Sequence, residues 1–424
     1  MRYNLLRYLY SLLLIGLTPF ILLRLLWRSL RAPDYRRRVT ERFGFYAQTF
    51  LHGGICLHAV SVGELMAARP LITRIQAEFP HLPLTITTTT PTASMQVKKI
   101  FADTVQHVYL PYDYPGAVQR FIKIFHPQLM IIMETEIWPN LYHYLNQAQI
   151  PVIMANARLA EKSLRGYKRF KFFFAPILRN VTCISAQSAM DADHFAQLTY
   201  PTQQIKIMGN IKYDVVVPAH LVERAQQLRK VWPERFVWIA SSTHAAEEAL
   251  IISTLITIKK QYPQILCIIA PRHPECFDSV AEKCRAQGLT LARYSLQEEV
   301  TLTTDVLIAD VMGELFFFYA LSDVAVVCGS FAPIGGHNVL EPAALGLPII
   351  VGPQMFNFKT ILADFLADDA LYQVHDAQEL LTRLLHCLAH PDEAQRVGER
   401  AHQLVLMNQG AVNKVWEEVV KWVH

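Results

Sequence analysis

The amino-acid sequence predicts an α/β protein with two parallel-sheet domains. Short apolar runs typical of buried strands alternate with longer stretches whose apolar residues recur at helical spacing. This alternation favours doubly wound, Rossmann-like sheets covered by helices. The chain has 424 residues, more than one hydrophobic core usually organises. Two such domains facing across a cleft are therefore expected, with ligands at the carboxyl ends of the strands.

Composition excludes several classes of protein. The formal net charge is only +4, and no run of Lys and Arg interleaved with aromatic residues dominates the chain, so a nucleic-acid partner is not indicated. The seven cysteines show no metal-ligand spacing. They favour buried, reduced thiols in the cytoplasm over a disulfide framework or a zinc site.

The first predicted element is a membrane-anchor segment, residues 1–31. It is uncharged from Tyr8 to Leu23 and is followed by several arginines, beginning with Arg24. The apolar run is shorter than the ~20 residues of a comfortable span, and Pro19 is expected to interrupt it. A spanning helix, a helix lying on the membrane and a buried core helix all remain open. For either membrane arrangement the arginines favour the cytoplasmic side.

The rest of the chain divides into two series of strands and helices, with a linker at residues 213–218. The first series predicts strands at 55–60, 84–88, 105–110, 129–133, 151–156 and 181–185, and helices at 64–78, 91–101, 114–125 and 161–178. The second predicts strands at 237–240, 265–270, 289–293, 306–309, 324–328 and 349–351, and helices at 246–261, 277–287, 314–320 and 340–345. The predicted domains are 32–212 and 213–424.

Carboxylates follow two of the predicted strands. Glu64 begins a helix after strand 55–60, where it either complements the helix dipole or acts as a general base. Glu134 and Glu136 follow strand 129–133, and paired carboxylates there are costly without a function. Glu134 is the better candidate for the cleft, whereas Glu136 either joins it or caps the next helix. Thr90 is expected either to cap a helix or to help bind a phosphate.

A glycine-rich turn, residues 329–341, is expected to hold a phosphorylated donor. Its glycines allow close approach of the backbone, helix N–H groups favour an anion, and Glu341 can accept hydrogen bonds from sugar hydroxyls. Lys212 and Arg272 follow other strands in positions suited to phosphate. No paired-carboxylate metal motif accompanies them, so cationic side chains and helix N-termini are expected to meet the phosphate charge.

Several spaced motifs together resemble the bacterial 3-deoxy-D-manno-octulosonic acid (Kdo) transferases of lipopolysaccharide biosynthesis. The motifs are Ser61-Val62-Gly63-Glu64, Thr90-Pro91-Thr92, Leu110-Pro111-Tyr112-Asp113, Met133-Glu134-Thr135-Glu136-Ile137-Trp138-Pro139-Asn140, Ala155-Asn156-Ala157-Arg158, Ser242-Thr243-His244, Pro271-Arg272-His273-Pro274-Glu275, Met312-Gly313-Glu314 and Gly335-Gly336-His337-Asn338. The resemblance extends from the N-terminal segment to about Lys359.

The resemblance implies a GT-B glycosyltransferase on the cytoplasmic side of the cell inner membrane. It would transfer Kdo from CMP-Kdo to a lipid A precursor (lipid IVA), with inversion and without a metal or other cofactor. Residues 32–212 would bind the acceptor and 213–424 the CMP-Kdo donor, with the last helix free to pack back on the first domain.

The resemblance also implies roles for individual residues. Glu64 matches the general base, and Glu134 and Lys212 match residues assigned to transition-state stabilisation. The residues that match the CMP-binding segments are Pro271, Arg272, Met312, Gly313, Glu314, Asn338, Val339, Leu340 and Glu341. Two other readings remain: a membrane-bound GT-B enzyme with a UDP-sugar donor, and a catalytically silent nucleotide-sugar-binding membrane protein.

Overall fold

The computed structural model describes residues 2–198, 202–232 and 235–423. The chain forms two compact units. The first contains the residues up to Asp214 and those from Gln409 onward, and the second contains Val215–Asn408. The segment after Gln409 therefore belongs with the first unit rather than with the sequence that precedes it.

Each unit contains, among the residues described, a seven-stranded parallel sheet. In the first unit the strands are β1 (Ile55–His58), β2 (Leu84–Thr88), β3 (Gln106–Tyr109), β4 (Leu129–Met133), β5 (Val152–Ala157), β6 (Cys183–Ala186) and β7 (Ile205–Ile207). In the second they are β8 (Val237–Thr243), β9 (Leu266–Pro271), β10 (Leu291–Arg293), β11 (Val306–Ile308), β12 (Val324–Val327), β13 (Ile349–Val351) and β14 (Tyr372–Gln373). The predicted α/β class is confirmed.

Helices connect the strands. They are α1 (Arg2–Arg31), α2 (Val62–Glu78), α3 (Pro91–Phe101), α4 (Pro115–Phe125), α5 (Pro139–Gln147), α6 (Glu161–Arg169), α7 (Lys171–Leu178), α8 (Ala189–Ala196), α9 (Ala219–Arg229), α10 (Ala245–Lys259), α11 (Phe277–Ala286), α12 (Leu315–Ala320), α13 (Leu340–Ala344), α14 (Lys359–Ala367), α15 (Ala377–Ala389), α16 (Pro391–Asn408) and α17 (Ala411–Val419).

The central strands are buried on both faces, which is why they appear in the sequence as unbroken apolar runs. In β1, Ile55 and Leu57 pack into one core, while Cys56 packs into the core on the opposite face. Trp416 of α17 completes the first of these cores. The carboxylate of Asp214 accepts backbone N–H groups at the start of α17, which fixes the returning helix to the first unit.

Strand order places a switch point in each sheet. The first sheet has the order β3-β2-β1-β4-β5-β6-β7, so β1 and β4 are neighbours although two strands separate them in sequence. The second has the order β10-β11-β9-β8-β12-β13-β14, with β8 beside β12. Open α/β sheets bind ligands outside the carboxyl ends of the strands at such points.

Helix α1 differs from its prediction because Pro19 does not interrupt it. A proline removes one backbone hydrogen bond, but the helix continues on both sides. Residues Asn4–Leu30 are long and apolar enough to cross a membrane, and only 6% of the most apolar window is buried within the structure. That exposure argues against the buried-core alternative.

Two short strands, one helix break and the helices α5, α8, α9, α14 and α15 were not predicted. β7 and β14 contain three and two residues and are not fully buried, so neither produces an apolar run in the sequence. The predicted helix 161–178 is divided at Phe170 into α6 and α7. The two strands and the helix break lie at the edge of a sheet or on the surface and leave the strand ends near the switch points unchanged.

Candidate active site

Glu64 lies in the first turn of α2, immediately beyond β1. Its carboxylate accepts the backbone N–H of Val60 (2.8 Å) and the hydroxyl of Ser61 (3.0 Å), so it does help to cap the helix. It is also 9% exposed. Burial, together with the nearby charges of Glu134 and Glu136, raises the pKa of Glu64 to about 7 despite these hydrogen bonds. A carboxylate with that pKa can accept a proton near neutral pH.

Glu134 lies directly after β4, the strand beside β1. Its backbone φ is +56°, a conformation that costs energy for a residue with a side chain. The backbone N–H of Glu134 donates to Ala155 O (2.8 Å), which holds this turn at the end of the sheet. Its carboxylate lies 3.5 Å from the ammonium group of Lys212. The structure therefore brings together Glu64, Glu134 and Lys212, the three predicted catalytic residues, within the first unit.

Glu136 does not cap the helix that follows it. The carboxylate of Asp113 accepts the first N–H groups of α5, from Asn140 (2.9 Å) and Leu141 (2.8 Å). Burial raises the pKa of Glu136, and the charge of Glu134 adds to the effect. Glu136 thus joins Glu64 and Glu134 as a third member of the carboxylate group. The alternative prediction, that it caps the next helix, is wrong.

Two asparagines hold the loop of Lys212 in place. Neither was predicted from the sequence to have this role. Asn210 accepts the backbone N–H of Lys212 (3.0 Å), and the wholly buried Asn156 at the end of β5 accepts the N–H of Ile211 (3.0 Å). Asn156 has φ of +56°. The only sequence signal for it was its place in a recognised motif, because its partner lies far along the chain.

In the second unit, polar residues gather beyond β8, β9 and β12. Glu341 in α13 is partly buried and accepts a hydrogen bond from Asn338 (3.1 Å). Burial raises the pKa of Glu341, while the Asn338 hydrogen bond and the charge of Arg272 oppose the rise. Arg272 itself is exposed, and its N–H donates to Thr243 O (3.0 Å). The cation of Arg272 and the partly buried carboxylate of Glu341 therefore lie together at this switch point.

A buried carboxylate holds the glycine-rich turn. Glu247 in α10 is 1% exposed and accepts the N–H groups of Gly329 (2.8 Å) and Phe331 (2.9 Å). Two N–H groups that the sequence suggested for a ligand anion are thus used by Glu247. Glu247 also accepts the N–H of His244 (3.3 Å), and a glutamate three residues after a helix cap is the signal that would have identified it.

Substituting Glu247→Gln is expected to destabilise the protein. The amide nitrogen would face backbone donors, and an unsatisfied buried polar group costs about 1–3 kcal/mol. Thermal unfolding of the full chain should therefore shift down by several degrees, while Glu282→Gln, at an exposed position of α11, should not change it. Equal melting temperatures in the two variants would contradict this role.

The predicted segment Met312–Glu314 is placed after β11, on the far side of β9 from the switch point. Met312 is 49% exposed and Gly313 has φ of +91°. Glu314 forms an ion pair with Arg224 and accepts the hydroxyl of Tyr294 (3.1 Å). Among the hydrogen bonds of the described residues, none links this segment to the Arg272–Glu341 group.

In the first unit, Thr90 accepts the N–H of Ala93 (3.3 Å) and so caps α3.

Comparison with known proteins supplies the family. Residues 37–215 match the family model described as 3-deoxy-D-manno-octulosonic-acid transferase (kdotransferase). The chain is 38% identical to a 3-deoxy-D-manno-octulosonic acid transferase of Haemophilus influenzae, over 96% of this chain and 97% of the relative. A transferase of the same name from Bordetella pertussis is 33% identical, over 98% and 99%.

A solved structure supports the architecture. A glycosyltransferase from Rickettsia africae aligns with a TM-score of 0.53 at 13% identity, covering 88% of this chain and 99% of that one. Likeness at this identity concerns the fold, which is that of GT-B glycosyltransferases. The sequence relatives go further, and they show that the chain belongs to the family of Kdo transferases.

Proposed function

We propose that this Kdo transferase moves Kdo from CMP-Kdo to the hydroxyl of a lipid A precursor, lipid IVA, with inversion and without a metal. The observation that carries the proposal is the group formed by Glu64, Glu134 and Lys212 beside the switch point of the first sheet. It combines a base whose pKa is near neutral with a carboxylate and a fixed cation. Family membership supports the sugar that is transferred.

Glu64 would act as the general base. It takes the proton of the acceptor hydroxyl as the oxygen bonds to the anomeric carbon of Kdo. The bond between that carbon and the phosphate oxygen breaks, and both electrons leave with CMP. Attack opposite the leaving group inverts the anomeric centre, and the proton remains on Glu64. A raised pKa suits this task because the carboxylate is then a stronger base, while about half of it remains ionised at pH 7.

Charge stabilisation would come from Glu134 and Lys212. The anomeric carbon becomes electron-poor as the bond to CMP stretches, which a carboxylate stabilises. The phosphate becomes more negative, which an ammonium group stabilises without needing a metal ion. The strained backbone of Glu134 and the two asparagines that fix the loop of Lys212 support pre-organised positions for these charges.

The second unit would bind the donor, and residues 32–212 of the first would bind the acceptor. Arg272 suits the phosphate of CMP, and the partly buried carboxylate of Glu341 suits the ribose hydroxyls. Pro271, Asn338 and the main chain of Val339 and Leu340 would complete this part of the site. Met312, Gly313 and Glu314 would contribute from the neighbouring strand end.

We propose that α1 attaches the enzyme to the cytoplasmic face of the inner membrane while lying on its surface. The guanidinium of Arg7 is buried and donates to Asn140 (2.9 Å), which is itself held by Asp113. Further along, Thr18 is hydrogen-bonded to Tyr114 (2.8 Å). With residues 7–18 docked on the first unit, the remaining 12 or so residues extend only about 18 Å. The hydrocarbon core is about 30 Å thick, so the undocked part of α1 is too short to span it.

The outer face of α1 is apolar and free to enter lipid. Leu9, Leu13 and Phe20 share that face and are 52%, 61% and 68% exposed. Phe170 and Phe172, 51% and 62% exposed, stand among basic residues at the junction of α6 and α7. Apolar side chains beside cations are the pattern of a surface that binds anionic membranes.

The double substitution Leu13→Glu with Phe20→Glu is expected to weaken vesicle binding at least about tenfold, since burying each side chain contributes roughly 1.5–3 kcal/mol. Co-sedimentation with vesicles containing anionic lipid measures this. Leu302→Glu, a change at a similarly exposed apolar residue of the second unit (61%), should bind as wild type does. Unchanged sedimentation of the double variant would exclude this face from the membrane contact.

A transfer assay tests the function itself. Detergent-extracted protein is incubated with freshly generated CMP-Kdo and lipid IVA, and the lipid is analysed by mass spectrometry. An increase in mass by one or more Kdo residues is expected, with no transfer from UDP-sugars. Transfer from a UDP-sugar, or an unchanged lipid despite CMP binding, would overturn the proposed donor and acceptor.

A further inference from the structure

Two histidines meet at the switch point of the second sheet. His244 follows β8, and His337 lies in the loop after β12, the strand beside β8. Their Nε2 atoms are 2.9 Å apart, and the two rings are nearly coplanar, with an interplanar angle of 6°. A third histidine, His273, has its ring centroid 5.5 Å from that of His244.

The backbone fixes this pair. The ring of His337 lies against Gly329, where a Cβ atom would come within 2.6 Å of the ring, and Gly329 has φ of +71°. His244 is the N-cap residue of α10, and its backbone N–H donates to the carboxylate of Glu247. The same carboxylate holds Gly329. Both rings are therefore set by one buried anchor.

The contact dictates where the protons lie. Of two imidazoles joined through Nε2, one donates and the other accepts. The accepting ring must then carry its own proton on Nδ1, so a neutral pair presents one N–H donor away from the contact. Burial lowers the pKa of His337 to about 4, and the charges of Arg272, His244 and His273 add to the effect. Burial also lowers the pKa of His244 below its ordinary 6.5, so both rings are neutral at pH 7 when no anion is bound.

We infer that the His244–His337 pair is an anion-recognising element of the donor site, in which His244 donates to His337 through Nε2 and His337 supplies its Nδ1–H to an anionic oxygen of the sugar nucleotide. The inference rests on the proposed function. The charge of Arg272 acts on both His337 and Glu341, so the pair lies in the same polar group as the proposed phosphate and ribose contacts. The anionic oxygen belongs either to the phosphate or to the carboxylate of the sugar acid.

Substitutions of His337 test the inference. His337→Leu removes the ring nitrogens, whereas His337→Asn keeps an N–H near the position of Nδ1. We expect His337→Leu to weaken binding of the anionic ligand roughly ten- to hundredfold, as loss of a hydrogen bond to a charged group does, and His337→Asn to recover part of it. His375→Leu, at an exposed histidine of the same unit, is the control. Thermal melting of each variant checks the fold.

Calorimetric titrations with cytidine and CMP, and the KM for CMP-Kdo, distinguish the two oxygens. If the phosphate is recognised, His337→Leu loses affinity for CMP and not for cytidine. If the carboxylate is recognised, CMP binds normally and the KM for CMP-Kdo rises. A normal affinity for CMP and a normal KM for CMP-Kdo in His337→Leu would overturn the inference while leaving the function intact. Equal losses of affinity in His337→Leu and His337→Asn would do the same. Failure of the wild-type protein to bind CMP would instead refute the proposed function and the inference with it.

Discussion

Replacing Glu64 by Gln is expected to lower kcat for Kdo transfer by about 10²- to 10⁴-fold, the range typical of a lost general base. The affinity for CMP should not change, because Glu64 belongs to the first unit and the proposed CMP contacts belong to the second. Gln can still accept the N–H of Val60, so the start of α2 should survive the change. Single-turnover transfer and CMP titration on the same preparation measure both quantities.

Glu78→Gln is the matched control, since Glu78 is an exposed residue at the end of the same helix. The stability of the Glu64 variant provides a second check. Because the pKa of Glu64 is raised from its ordinary 4.5 to about 7, the wild-type free energy of unfolding falls as pH rises through that window. Glu64→Gln removes this penalty and should not melt below wild type at pH 8. Wild-type turnover by the variant would exclude Glu64 as the base.

Lys212→Met should have the second-largest effect, a fall in kcat of about 10²- to 10³-fold, comparable to the loss of one charge-stabilising donor in other enzymes. Met keeps most of the length of the side chain and removes only the ammonium group. Its loss also leaves Glu134 without the cation that lies 3.5 Å away. Steady-state kinetics should show the loss mainly in kcat rather than in KM, because the interaction strengthens as charge develops.

Lys123→Met, at an exposed lysine of α4 in the same unit, should retain wild-type kinetics. Lys212→Arg preserves the charge but changes its geometry and is expected to recover part of the activity. If Lys212→Met were as active as wild type, Lys212 would have no part in the chemical step.

The fold was largely predictable because its central strands are buried on both faces. β4 and β12 are unbroken apolar runs. Such a run can be recognised as a strand from its own residues, without knowledge of the strand that pairs with it. β7 and β14 contain no buried residue, so only pairing with a neighbouring strand defines them. The continuation of α1 through Pro19 could not be predicted because the sequence gives the cost of a proline but not the tertiary contact of the neighbouring Thr18 with Tyr114.

The site was predictable in part for a similar reason. Glu64 and Glu134 follow recognisable strands, so their positions could be deduced from parallel topology. Asn156, which supports the loop of Lys212, acts through a contact between residues 55 positions apart, and no local pattern encodes that. Asp113 was named only within a motif, whereas its capping of α5 and its link to α1 through Asn140 depend on tertiary structure.

The pH dependence of kcat/KM for the lipid acceptor tests the central claim, that a buried Glu64 with a raised pKa removes the proton of the acceptor hydroxyl. The base acts only when ionised. We therefore expect kcat/KM to fall about tenfold per pH unit below a midpoint near pH 7 and to level off above it. A profile that is flat from pH 5.5 to pH 8, measured where the protein remains folded, would contradict the claim.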